Sequence, residues 1–251
     1  MIRKFLKRIA HSDFFAFNLR NRDRWVAAQA GKVPLGKRVL DIGAGSAPYR
    51  ALFSHCIYQT QDFAALRPDQ LRGGSYGQID YVCDANAIPV PDGSVDVVLC
   101  TEVLEHHPEP ITLIYEFARI LSADGVILLT APLGSGIHQE PHHFYGGYTP
   151  YWYRRFLTEA GFSDITIEAN AGSLRHYAQE SIRFVRMTNP FTFRMPLFAK
   201  LLWFPIWLLL VPLLVGLIPL AAKLLDRFDE EKRFTVGYHV RAVKRLAGAS
   251  T

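Results

Sequence analysis

Cysteine is scarce in this 251-residue chain: Cys56, Cys83 and Cys100 are its three thiols, and no two of them form a CxxC pair. An odd number at wide spacing excludes a disulfide framework and a zinc ribbon, and reads as the reduced, buried thiols of a cytosolic protein. A secretory leader is not expected either. The early basic cluster of "MIRKFLKRIAHSDFFAFNLRNRDRW" is followed by no uninterrupted apolar stretch and no small-residue cleavage site. Internal repeats and low-complexity tracts are also missing. The net charge is only +5, and no basic stripe with interleaved aromatics lies near the motifs described below, so nucleic acid is not an expected partner. Charge is absent altogether from residues 201–222, "LLWFPIWLLLVPLLVGLIPLAA", fenced by Lys200 and Lys223.

What is present, from residue 37 onward, is an alternation of strands and helices. "KRVLDIGAG", "CIYQTQD", "IDYVCDA" and "VDVVLCTEVLEH" each begin as short apolar strands. "ITLIYEFARIL" follows as a helix, since Ile111, Ile114, Phe117 and Leu121 recur at helical spacing. "GVILLTAP" is a fifth strand. "TPYWYRRFLTEAGF" is a helix with a threonine cap, a proline in its first turn and a glycine stop, and "DITIEAN" is a sixth strand. This order implies an α/β fold with a mostly parallel sheet covered by helices on both faces. Residues 174–188 form a further helix, and "FTVGYHVRAVKR", beyond the apolar run, alternates like a seventh strand. Near the N-terminus, Ile2, Phe5, Leu6 and Ile9 lie opposite Arg3, Lys4, Lys7 and Arg8. Residues 1–36 are therefore expected to be a basic amphipathic helical region, on the outside of the domain or at a membrane surface.

The chemistry-bearing motifs fall at strand ends. "VLDIGAGSAPYR" puts Asp41, Gly43 and Gly45 at a strand-to-helix turn, where glycine lets the backbone approach a ligand closely. Asp62 ends the second strand, where an acid can accept two ribose hydroxyls. Asp84, at the end of the third, adds an acceptor suited to an adenine amino group. Features at three successive strand ends point to a nucleoside-containing ligand at the carboxyl edge of the sheet. A nicotinamide enzyme shares the first turn and the ribose acid, but "GAGSAPYR" lacks the third glycine of the dinucleotide fingerprint.

On "VLDIGAG", Asp62, "CDANAIPVPDGSVDVVLCTEVLEH", "GVILLTAP" and "YTPYWYRRFLTEAGF", the chain resembles the class I S-adenosylmethionine-dependent methyltransferases, and within them the type 11 branch. The resemblance runs over about residues 37–169 and returns in the last strand. It implies a Rossmann-like sheet of seven strands whose last strand inserts antiparallel. It also implies S-adenosylmethionine as cofactor, with Asp41, Gly43, Ala44 and Gly45 at its methionine moiety and Asp62 at the ribose. Asp84 and Ala85 would border the adenine, and Glu102 and Val103 would floor the pocket.

Methyl transfer from a sulfonium is an in-line displacement, so the enzyme must chiefly align the acceptor and, for a hydroxyl, remove its proton. "TEVLEHHPEP" offers Glu102, Glu105, His106 and His107, and "GIHQEPHHFYGGY" offers His138, His142, His143 and Tyr145. Among these, His106, His107 and His143 are the candidate catalytic bases. Glu102-x-x-Glu105-His106 also looks like the arrangement with which some O-methyltransferases hold a divalent ion. The same "LEH" is widespread in type 11 members without metal. No metal is therefore the expectation, with Glu102, Glu105 and His106 as the candidate ligands.

The uncharged run would reach roughly 33 Å as one helix, enough for a bilayer core. A single crossing, however, would part the last strand from its own sheet, and two crossings need about 40 residues. Arg183, Arg186, Arg194 and Lys200 precede the run and Lys223, Arg227, Lys232 and Arg233 follow it, so both flanks favour the cytoplasmic face. Pro205, Pro212 and Pro219 fall on nearly one face, each able to kink a helix. The expectation is a kinked hairpin or re-entrant insertion between strands six and seven. A helix buried against another subunit and a true transmembrane span are the competing readings. The division is then residues 1–36, a methyltransferase domain at 37–189 and 231–247, and a hydrophobic insertion at 190–230, touching the membrane through 197–223. The function expected is methylation of a lipid, lipid-linked sugar or other amphiphile at the cytoplasmic membrane face. The alternatives are a soluble sugar or metabolite of cell-surface glycan synthesis as acceptor, and an inactive cofactor-binding scaffold.

Overall fold

In the computed structural model, which describes residues 16–245, the two apolar strands that lead into the motifs lie side by side at the centre of one sheet. β1 (Arg38–Ile42) pairs in parallel with β2 (Ile57–Asp62) on one side and with β4 (Val95–Thr101) on the other. Val39, Leu40, Ile42, Val97, Val98 and Leu99 are all buried, the near-continuous apolar pattern of strands covered on both faces. With β3 (Tyr81–Val82), β5 (Leu121–Pro132), β6 (Phe162–Ala169) and β7 (Gly237–Lys244), the strand order is β3-β2-β1-β4-β5-β7-β6. β7 runs antiparallel to β5, from Val126 opposite Val243 to Pro132 opposite Gly237. The sheet is thus seven-stranded, mostly parallel and Rossmann-like, and its order reverses between β1 and β4, which opens a crevice at the strands' carboxyl ends. β3 is shorter than the strand expected in "IDYVCDA", because only Tyr81 and Val82 pair with β2.

Helices close both faces. α1 (Phe17–Ala30) brings Trp25, Val26 and Ala30 against Val39, Tyr49, Phe53, Val97, Leu99 and Leu128. α2 (Pro110–Ile120) starts on a first-turn proline and buries Leu113, Ile114, Phe117 and Ile120 completely, each contributing about 1.5–3 kcal/mol of hydrophobic stabilisation. α3 (Pro150–Glu159) is capped by Thr149, whose Oγ1 accepts from the Trp152 N–H at 3.3 Å, and it seats Tyr153 and Leu157 in the core. The basic amphipathic helix expected over Ile2 to Ile9 lies outside the described residues.

The chain divides into two units. One comprises residues 22–168 and 237–245 and holds the sheet; the other comprises 16–21 and 169–236. In the second, α4 (Ser173–Met187) accompanies a single helical segment, Leu197–Phe228, formed by α5 (Leu197–Val211), a π-helical stretch (Pro212–Leu217), α6 (Ile218–Leu225) and a short 3₁₀ turn. The apolar run is therefore not a hairpin. Pro205 is accommodated inside α5, Pro212 opens the π-helical stretch and Pro219 opens α6. Within that stretch the Ile218 N–H donates to Leu213 O, and Pro219 has no N–H to give to Leu214 O. The Ser181 hydroxyl donates to that carbonyl instead, at 2.7 Å.

The reversal of the chain comes from α4. Trp203 Nε1 donates to Thr188 O at 2.8 Å, Trp207 Nε1 to Val185 O at 3.0 Å, and the Asp226 carboxylate accepts the Gly172 and Arg175 N–H groups at 2.8 and 3.0 Å. As the position rises along the long helix its partner falls along α4, so the two lie antiparallel. The unit's two ends consequently meet at Gly172 and Asp226.

Candidate functional site

A cavity of about 730 Å³ opens at the carboxyl ends of β1, β2 and β4, wholly within the sheet unit. Its floor is the turn after β1. Gly43 and Gly45 have φ of +64° and +53°, and a Cβ on Gly43 would sit 2.3 Å from Val103 Cγ2. Only glycine satisfies both conditions. Asp62 is buried, and its two oxygens accept the Gly45 and Ala64 N–H groups, each at 2.9 Å. Gln61 binds the neighbouring segments together, with its Oε1 accepting from the Gly43 N–H at 3.3 Å and its Nε2 donating to Cys83 O at 2.7 Å. Asp41 is buried beneath the turn and accepts the Tyr58 hydroxyl. Burial raises its pKa to about 7, with a smaller contribution from the Asp62 charge.

Asp41, Gly43, Ala44, Gly45, Asp62, Asp84, Ala85, Glu102 and Val103 all line this one cavity. Asp84 accepts the Asn86 N–H at 2.9 Å, which holds its pKa below the usual carboxylate range, with His107 adding to the effect. His107 Nδ1 accepts the Glu109 N–H at 3.1 Å, so its proton resides on Nε2, 3.2 Å from Asp84. That ring orients a carboxylate and has no lone pair left for an acceptor.

The remaining candidate bases differ in what their nitrogens face. His106 lines the cavity, and its Nδ1 meets the His142 carbonyl. A carbonyl only accepts, so Nδ1 carries the proton and Nε2 keeps its lone pair. Burial lowers the His106 pKa to about 4, which keeps the ring neutral. His138 is fixed in the same tautomer by Gly136 O, 2.9 Å from its Nδ1. His143 does not line the cavity; its Nε2 lies 3.2 Å from Ser135 Oγ.

Glu105 is fully buried, and neither of its carboxylate oxygens has a hydrogen-bond partner among the described residues. Burial pushes its pKa well above the usual carboxylate range. His106 Nε2 lies 3.8 Å from Glu105 Oε1, and one ligand atom from each of Glu105, His106 and His138 falls within 4.8 Å of the others. These three residues could hold a metal ion. Glu102 is not part of the group, contrary to the sequence reading. Its backbone turns through a φ of +55°, and its carboxylate accepts from Thr130 Oγ1 at 2.9 Å and pairs with Arg22 at 3.4 Å. Arg22, Tyr58 and Gln61 had no signal in the sequence beyond their polarity.

The sequence and fold have known counterparts. A family model described as a methyltransferase domain, type 11, matches residues 40–129. An uncharacterised methyltransferase of Mycobacterium sp. (strain KMS) is 32% identical over 135 residues, which is 50% of this chain and 52% of that protein. Another, from Mycobacterium leprae (strain TN), is 28% identical over 137 residues, covering 50% of this chain and 49% of its own. The chain thus spans about half the length of the curated relatives it matches. Among solved structures, a putative sarcosine dimethylglycine methyltransferase from Galdieria sulphuraria aligns with a TM-score of 0.54 at 18% identity, over 90% of this chain and 86% of that one. Phosphoethanolamine N-methyltransferase 2 of Haemonchus contortus, in complex with S-adenosyl-L-methionine, gives 0.54 at 18% identity, over 98% and 60%. At that identity they share the fold.

Proposed function

We propose that this chain, whose residues 40–129 belong to the type 11 methyltransferase domain family, is an S-adenosylmethionine-dependent methyltransferase acting on a hydroxyl of an amphiphilic acceptor. The observation that carries the reading is one cavity that joins a glycine cradle and the strand-end acids Asp62 and Asp84 to a histidine with a free lone pair, His106. The residues fit the cofactor. The cradle leaves no room for a side chain at residue 43, and the structural counterpart from Haemonchus contortus binds S-adenosylmethionine in the same fold. The Gly43–Gly45 turn would hold the methionine moiety and Asp62 the ribose, while Asp84 and Ala85 would border the adenine.

S-adenosylmethionine, when bound, supplies a methyl group on a sulfonium, a good leaving group. The protein's own part is to align the acceptor and take its proton. His106 Nε2 accepts the hydroxyl proton while the His142 carbonyl holds Nδ1–H and fixes the ring. His107 keeps Asp84 in place.

A second reading rests on Glu105. A buried carboxyl without a partner is costly unless it is protonated or matched by a cation. A divalent ion on Glu105, His106 and His138 would polarise the acceptor hydroxyl in place of the base. Treatment with EDTA separates the two: turnover lost and restored by one divalent cation favours the ion, and unchanged turnover leaves His106 as base.

The acceptor class follows from the long helix. Its most apolar 18-residue window has no buried residue, and Leu201, Leu202 and Leu209 are 68%, 69% and 76% exposed. Such a surface calls for apolar surroundings, and an acceptor already in the bilayer gives the contact a purpose. Cations flank the segment at both ends, which favours the cytoplasmic face. Labelled-methyl transfer into fractionated lipid and glycan extracts tests the reading. Label in the lipid fraction is the expected result. Label confined to water-soluble sugars would make the acceptor a soluble glycan precursor, and cofactor binding without any turnover would make the chain a scaffold.

A further inference from the structure

The carbonyl that fixes the His106 ring is carried by residues 139–142, and this short segment is held from both ends. Downstream, the Phe144 and Tyr145 N–H groups donate to Glu105 O at 2.9 and 3.2 Å. Upstream, the hold comes from the loop that follows β2. Gln70 Nε2 donates to Glu140 O and Gln139 Nε2 donates to Gln70 O, each at 3.0 Å. The Phe63 and His142 rings meet edge to face, with centroids 5.0 Å apart. Phe63, Gln70, Gln139 and His142 all line the cavity, so two loops distant in sequence are strapped together along its wall.

Both sides of the strap are themselves constrained. Gln139 has a φ of +52°, a left-handed conformation that a non-glycine residue keeps only where its surroundings hold it. The loop after β2 is tied back to the glycine cradle, with the Gly77 N–H donating to Gly45 O at 2.9 Å and the Gly73 N–H to Ser46 Oγ at 2.8 Å. Arg72 of the same loop pairs with Asp23 of α1 at 2.7 Å. The contacts therefore run unbroken from the cradle through Gln70 and Gln139 to the carbonyl on His106 Nδ1.

A neutral imidazole carries its proton on either nitrogen, and the hydrogen bond at one decides the state of the other. If the carbonyl drifts from Nδ1, the proton is free to move to Nε2. The ring then offers no lone pair at Nε2, either to a hydroxyl proton or to an ion.

We propose that Gln70 and Gln139 are positioning residues: by strapping residues 139–142 they keep the His142 carbonyl on His106 Nδ1 and the Nε2 lone pair free for the acceptor. The proposal rests on His106 as the acceptor-side group, and it applies whether that ring serves as base or as ligand of an ion.

The test reads the tautomers directly, by ring ¹⁵N NMR of the full chain at neutral pH without cofactor or acceptor. Signals are assigned from His106→Gln, His107→Gln and His138→Gln. Two variants cut the strap by different chemistry. Gln70→Glu keeps an oxygen for the Arg67 N–H, 2.9 Å from Gln70 Oε1, but cannot donate to Glu140 O. Gln139→Met is uncharged and of similar length, and has no donor for Gln70 O. In wild type, His106 and His138 are expected as the Nδ1–H form and His107 as the Nε2–H form. Each variant should lower the ratio of Nδ1–H to Nε2–H at His106 roughly 5-fold, the worth of about one hydrogen bond. His138, held by Gly136 O within its own loop, and His107, held by the Glu109 N–H, should stay as in wild type. Equal shifts at all three rings would mean a general loosening of the fold and would overturn the positioning role. An unmoved His106 in both variants would overturn that role and leave His106 as the base. A wild-type His106 with its proton on Nε2 would end both readings.

Discussion

The two units use apolar residues in opposite directions. In the sheet unit Leu99, Ile114 and Phe117 are fully buried, and three of the polar groups held inside, Asp41, Asp62 and Gln61, surround a cavity. In the helical unit Leu202 and Leu209 face outward, and the polar side chains of Ser181, Trp203 and Trp207 bind carbonyls across the α4 contact. Each large aliphatic group left in water forgoes about 1.5–3 kcal/mol. The first pattern covers its apolar groups within its own unit; the second leaves an apolar face uncovered. Composition cannot tell them apart, because both rest on leucine-rich segments, and only the partner of each face does.

The sharpest way to break the first pattern is at Gly43. Gly43→Ala drives a methyl into Val103 and forces a positive φ on alanine, so cofactor affinity and turnover should fall roughly 100-fold or more, read by calorimetric titration with S-adenosylmethionine.

The next largest effect depends on pH. The Asp41 carboxyl is raised to about 7 in the folded protein from 3.8, so the folded state holds its proton more tightly than the unfolded one. Its contribution is fully favourable below about pH 4 and is lost as pH rises to about 7, by up to roughly 4 kcal/mol. Asp41→Asn, a neutral stand-in, should flatten that fall in denaturant unfolding of the ligand-free protein. An unchanged slope would place the pH response in other groups.

For the second pattern, Leu202→Asp with Leu209→Asp should abolish vesicle flotation while the sheet unit's cofactor binding stays within about twofold, since exposed substitutions cost little folding stability. Normal flotation with loss of a dimer in sedimentation would instead assign this surface to a second copy of the chain. The smallest effect is expected at Ser181. Ser181→Ala leaves Leu214 O without its donor and should lower the melting free energy in detergent by about 1 kcal/mol.

Much of the fold was legible because its signals are short-range. The apolar strands, the glycine turn at Gly43 and Gly45, and the Thr149 cap each reside in a few consecutive residues. The acids Asp62 and Asp84 that line the cavity were legible for the same reason, one ending β2 and the other lying just beyond β3. Partners distant in sequence were not. Glu105 meets His138, which lies 33 positions further along the chain, Glu102 turns away to Arg22 on α1, and His143 packs on Ser135 instead of lining the cavity. The strand expected in "IDYVCDA" is longer than β3, because a strand is only as long as its partner's ladder.

The sequence by itself determined the order of strands and helices, the cradle after β1 and the presence of a membrane-length apolar run. These follow from periodicity and from backbone freedom at single residues. The tertiary structure alone decided that the run is one continuous helix, that α4 supplies its return stroke, and that His106 keeps Nε2 free. Proline in a helix admits either a break or a π-helical detour. Which is adopted depends on whether a neighbour such as Ser181 can satisfy the freed carbonyl. A histidine's lone pair, likewise, is set by the carbonyl that folding brings to its other nitrogen.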